Sequence, residues 1–231
     1  MKFFNSKDIA NAYDGIGFQK LFWIFIIAAF AGNIIEIFYC RIVDGVWMGR
    51  SSFMYGQLTA VWGVGAVLLT LIMLPVSKRG LFLVFIIGFI IGGIYEYTCS
   101  YITERIYGAV FWDYSNMKFN IGGRTNLMFC FAWGILGVAW IQFLYPAISA
   151  LIDKLPDKTI NVATIVMAAL LVLDTIITFA VVSRYSKRQA EAKLPDNAIV
   201  AFIDEKYPDE VVEERWPNLL VKQKNDKSGE E

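Results

Sequence analysis

The chain has 231 residues, of which 57% are hydrophobic and 18% charged, and its formal net charge is zero. A soluble domain of this size carries about 25% charged residues, and a neutral balance leaves no basic footprint for nucleic acid. Histidine is absent, which removes histidine-based triads and proton shuttles and most catalytic zinc sites.

Spanning a bilayer takes about 20 apolar residues, because a helix rises about 1.5 Å per residue through a hydrocarbon core about 30 Å thick. Five segments qualify, at about 21–40, 55–76, 81–103, 125–152 and 161–183. The expected fold is therefore an all-α polytopic bundle over 1–183, followed by a soluble C-terminal tail over 184–231. The first 20 residues mix Lys2, Lys7, Asp8 and Asp14 and do not read as a signal peptide; the segment from Leu21 serves as the first inserted span. Cys40, Cys99 and Cys130 sit in or beside apolar runs without metal spacing and read as small core residues. Neither a metal nor a cofactor is expected.

An odd number of spans puts the loop from Arg41 to Met54, the loop from Glu104 to Arg124 and the tail on one side. Near the span ends that side has nine Lys and Arg residues against seven opposite. The dense Arg184 to Arg188 cluster assigns the tail to the cytoplasm by the positive-inside rule.

Residues 21–36 read LFWIFIIAAFAGNIIE and residues 81–96 read LFLVFIIGFIIGGIYE, eight of sixteen positions matching without a gap. Arg50-Ser-Ser-Phe-Met-Tyr echoes Arg124-Thr-Asn-Leu-Met-Phe. Spans one and two thus resemble spans three and four, as a parallel repeat about an axis along the membrane normal. Ala28, Gly32 and Glu36 share one helix face, and so do Gly88, Gly92 and Glu96. Small residues at four-residue steps let helices approach closely, so spans one and three are expected to cross there with both glutamates pointing into the bundle. A carboxylate inside a bilayer is a functional candidate by default. Glu36 and Glu96 read equally as ligand groups or as structural locks to nearby arginines. Asp174, near the middle of the fifth span, reads as a protonatable relay group or a buried hydrogen-bonding acid.

The loop Phe111-Trp112-Asp113-Tyr114-Ser115, with Phe119-Asn120 and Gly122-Gly123-Arg124, suits an interfacial aromatic belt or a segment holding Asp113 and Arg124 over a cavity. The glycine pair permits a sharp turn into the fourth span. In the tail, a short helix capped by Asp196 or Asn197 presents Ile199, Phe202 and Ile203 on one face. Pro208 interrupts it, and an acidic segment from Asp209 to Arg215 ends at Trp216-Pro217-Asn218. This part is expected to dock on the loops or on a partner, and Lys222 to Glu231 to be disordered. No phosphate-binding loop or nucleophile elbow is present, so the chain is not expected to be an enzyme.

Glu36, the Arg50-Ser-Ser-Phe-Met-Tyr-Gly block leading to Trp62-Gly63-Val64-Gly65-Ala66, Glu96-Tyr97, Trp112-Asp113-Tyr114-Ser115, Phe119-Asn120 and Gly123-Arg124 resemble the putative ABC-transporter type IV family of small bacterial membrane proteins. The resemblance covers about 20–160, with an echo in Tyr207 to Glu210 and Trp216 to Asn218. Gln57 and Ala60 stand where the family usually has prolines, so a kink there is not carried over. The family name implies a permease.

Three functions follow as expectations. The leading one is a permease-like component of the cell membrane, binding a small polar or ionic solute in a cavity lined by Glu36, Arg50, Glu96, Asp113, Arg124 and Asp174. Its partners are the lipid bilayer, an unidentified solute, and further copies of the chain or separate transport subunits. The second is a non-transporting scaffold or sensor with the tail as output. A membrane enzyme using Asp or Glu as base is the weakest without histidine. A cavity reaching mid-membrane favours the first; a dry bundle with paired acids favours the second.

Overall fold

The computed structural model describes residues 16–43, 45–190 and 197–221; the expected disorder of Lys222 to Glu231 lies outside them. Five helices are long and apolar enough to span a membrane: α1 (Phe18–Val43), α2 (Ala60–Ser77), α3 (Leu81–Tyr107), α4 (Leu127–Ile152) and α5 (Asp157–Gln189). The tail adds α6 (Ala198–Lys206) and α7 (Asp209–Arg215). Among the described residues there are also four two-residue strands: β1 (Ala109–Val110), β2 (Asn120–Ile121), β3 (Thr125–Asn126) and β4 (Leu220–Val221).

Lipid is as apolar as leucine, so helices in a membrane associate through close packing and hydrogen bonds. The glycines supply the close packing, but not between α1 and α3. A Cβ at Gly32 would overlap the Trp62 indole of α2, and one at Gly92 would overlap the Trp133 indole of α4. Reciprocally, a Cβ at Gly63 would come within 2.6 Å of the Phe25 ring, and one at Gly134 within 2.7 Å of the Phe85 ring. Each hairpin is thus closed by two glycine–aromatic contacts, at corresponding positions of α1–α2 and α3–α4. The expected α1–α3 crossing is replaced because a flat indole needs a missing side chain opposite it. The hairpins meet through those same indoles, with Trp62 and Trp133 centroids 6.5 Å apart, and Tyr95, edge-on to Trp133 within the second hairpin, donates to the Val61 carbonyl of α2 at 2.8 Å.

Several boundaries differ from the sequence expectation. α2 starts at Ala60, not at Tyr55, because residues 51–59 form an irregular segment that enters the bundle. The Thr59 amide donates to the Ala29 carbonyl, well inside α1, at 3.0 Å. Irregular backbone at membrane depth is tolerated only where protein covers it, and Ser51, Phe53 and Thr59 are all buried. α3 runs on to Tyr107, where Gly108 (φ 68°) ends it in the left-handed conformation. α4 contains a π turn at Trp140–Leu144, just ahead of Pro146; proline removes a helical donor and crowds the preceding turn. α5 continues to Gln189, past the expected end near Ser183. It is the most lipid-exposed span, with 17% of its apolar window buried against 44% for α2.

The tail folds back onto both long loops, which places all three on one side. β4 pairs antiparallel with β1, the Trp216 indole donates to the Ser51 carbonyl at 2.6 Å, and Asn218 donates to the Phe111 carbonyl at 2.7 Å. A second apolar cluster forms there from Val181, Val182, Tyr185, Tyr207, Val212 and Trp216.

Candidate functional site

The six candidate residues fall into three groups on the tail side. In the first, the α1 residue Glu36 accepts from the Trp62 indole at 2.7 Å through Oε1. Its Oε2 is buried and accepts no hydrogen bond. The half-buried Arg50 guanidinium lies within electrostatic reach of Glu36 and of Tyr114.

The second group surrounds Glu96 and the aromatic loop. Glu96 is 7% exposed, and both its oxygens are used: Tyr114 donates to Oε1 at 3.0 Å and Thr125 to Oε2 at 2.7 Å. The Tyr114 ring stacks on Phe129 at 4.6 Å. Burial, reinforced by the nearby Glu96 charge, pushes the Tyr114 phenol above its ordinary range. Arg124 does not pair with Glu96. It forms a salt bridge to Glu104, donates to Ser100 at 3.2 Å, and lies over the Tyr97 and Tyr101 rings. Asp113 accepts from the Ser115 amide at 2.8 Å, a local turn. Gly122, Gly123 and Arg124 make the three-residue turn of the β2–β3 hairpin, both glycines at positive φ, and a Cβ at Gly123 would overlap Asp113 and Ser115. Ser100, Glu104, Trp112, Asp113 and Arg124 line a cavity of about 30 Å³, room for a water or two.

The third group is Asp174, remote from Arg50 and Arg124 in its hydrogen bonding. Its carboxylate accepts from the Gly56 amide at 2.6 Å, the Tyr55 amide at 3.2 Å and the Thr178 hydroxyl at 3.4 Å. On the other side of this segment, Arg215 donates to the Phe53 carbonyl at 2.6 Å and to the Gly56 carbonyl at 3.0 Å. Burial lowers the Arg215 pKa, and the Asp174 charge opposes that shift.

Sequence reasoning therefore missed Trp62, Ser100, Glu104, Thr125 and Arg215 as partners. Only Trp62 carried a signal, its place in the Trp62-Gly63 block. Among the described residues no group of His, Cys, Asp and Glu is placed to hold a metal ion.

A family model described as "Putative ABC-transporter type IV" matches residues 23–179, more than half of the chain and all three groups except Arg215. No curated protein and no solved structure matches.

Proposed function

Because the chain belongs to the ABC-transporter type IV family, we propose that it is a membrane subunit of a transport assembly. It works through the cap that its loops and tail build on one membrane face, not by passing a solute through its own bundle. The observation that carries this reading is how the cap uses intramembrane acids. Glu96 is spent on Tyr114 and Thr125, and Asp174 on the backbone of residues 51–56. A buried carboxylate so engaged fixes geometry and is oriented by the protein's own donors. The Arg184, Lys187 and Arg188 cluster at the end of α5 supports a cytoplasmic cap. Further copies or separate transport subunits would supply the path and the energy, and the role of this chain is coupling, not catalysis.

The test is the mass of the assembly extracted from native membranes in mild detergent. A mass well above one chain, falling in Trp216→Ala, is expected. A single-chain mass unaffected by that substitution would sink the reading.

One observation favours a second reading, a permease with a small-solute site. Glu36 Oε2 is buried without a hydrogen bond while Arg50 stands nearby, an arrangement suited to a polar solute or a cation. Purified protein in vesicles would then carry ion flux that Glu36→Gln abolishes, and no flux above empty vesicles would remove it.

A further inference from the structure

Residues 51–58 are a backbone loop whose polar groups are sorted by direction. Its amides at Tyr55 and Gly56 point to the Asp174 carboxylate. Its carbonyls at Phe53 and Gly56 both accept from the Arg215 guanidinium. Arg215 Nε donates to Phe53 O at 2.9 Å, and Nη2 donates to Phe53 O at 2.6 Å and to Gly56 O at 3.0 Å. Ser51 Oγ bonds the Gly56 and Leu58 carbonyls and pins the curl of the loop. The Trp216 indole, 2% exposed, closes the rim on the Ser51 carbonyl.

We propose that this curl of carbonyls is a binding site for small guanidinium compounds, occupied here by the chain's own Arg215, so that the tail is a displaceable self-ligand. The chemistry selects the fork over a point charge. Two carbonyls engaged by adjacent nitrogens of one planar group suit a guanidinium, which is weakly hydrated, whereas an ammonium is compact and strongly hydrated. Asp174 supplies the counter-charge near Arg215, its carboxylate accepting from the loop amides and Thr178 and not from the cation. Because Arg215 is tethered, it competes as an intramolecular ligand whose effective concentration is of millimolar order. A free guanidinium compound must approach that level to displace it.

The inference rests on reading the cap as the working face, but its test uses the purified full-length chain in micelles and needs no assembly partner. Failure here therefore leaves the assembly-mass result standing, and the reverse holds as well. Arg215→Ala vacates the site, and the probe is guanidinium ion at millimolar concentration, with urea as the neutral isostere and sodium as the plain cation. Guanidinium should raise the melting midpoint of Arg215→Ala by a few degrees, as any ligand that binds only the folded state does. Urea and sodium should not, and adding Asp174→Asn should remove the response. Equal responses to guanidinium and urea, or a response untouched by Asp174→Asn, overturn the proposal. If Arg215→Ala does not fold, the wild-type chain gives a second measure through a reporter cysteine, Leu219→Cys. Millimolar guanidinium should speed modification of that cysteine and urea should not; no difference between them overturns the proposal equally.

Discussion

Asp174 and Arg215 hold opposite sides of one glycine: Asp174 accepts the Gly56 amide at 2.6 Å, and Arg215 donates to the Gly56 carbonyl at 3.0 Å. One residue is a span acid and the other a tail base, and the segment between them decides where α2 begins. Removing the carboxylate should therefore cost more than a surface charge would. Asp174→Ala strands two amides and is expected to destabilise by about 2–5 kcal/mol. Asp174→Asn keeps one acceptor and should cost about half as much. Thermal unfolding in detergent measures both, and equal effects would show that the charge, not the acceptor count, matters.

The glycine–indole contacts predict a sharp contrast within α3. Gly92→Ala drives a methyl into the Trp133 ring and should cost about 1–3 kcal/mol as overpacking, while Ile90→Ala, at a lipid-facing position 49% exposed, should be nearly silent. Gly32→Ala should behave like Gly92→Ala, because Trp62 stands where Trp133 does. A silent Gly92→Ala would contradict the packing.

These contacts also mark what the sequence can carry. Five spans were legible from apolar length alone, and the pairing of Gly32 with Gly92 and Glu36 with Glu96 was visible as a pattern. The partners were not. A small-residue stripe signals close approach but not which helix approaches, and Trp133 looks like any apolar position within its run. The start of α2 was misplaced because Tyr55 to Thr59 are ordinary span residues by composition. Their irregular course is held by Asp174 and Arg215, more than a hundred residues away, together with Ser51 and the Ala29 carbonyl. Arg124 was expected near Glu96; Glu104, a turn or two further along α3, is exposed enough to keep a charge cheaply and takes the salt bridge instead.

Tyr114 and Glu96 should be energetically coupled. Their hydrogen bond sits behind a stacked Phe129, so Tyr114→Phe and Glu96→Gln should not add. A double-mutant cycle on thermal stability should give a coupling of about 0.5–3 kcal/mol. A coupling of zero would mean that the loop is held by stacking alone.

The tail should loosen in acid. Hydrogen bonds from Arg184, then Arg188, hold the Asp204 carboxyl below its ordinary range, partly offset by burial. A depressed folded value stabilises docking above the unfolded value of about 3.9, and that contribution is lost as pH falls through the folded value. Protease sensitivity of the tail should stay flat from neutral pH to about pH 4 and rise below it, and Asp204→Asn should be sensitive throughout. At the alkaline end, burial and the hydrogen bond with Tyr55 push the Tyr207 phenol up to about 12. Docking should weaken as pH rises past about 10, where the unfolded phenol begins to ionise.

The dependence of residues 51–58 on Asp174 and Arg215 also sets an order of manufacture. Their amide partner lies 118 residues downstream and their carbonyl partner 162. At a ribosomal rate of about 5–20 residues per second, this early loop waits roughly 10–30 s with its backbone unanswered. A chain cut short before Arg215 keeps the Asp174 contacts but leaves the Phe53 and Gly56 carbonyls without the guanidinium that links them to the tail.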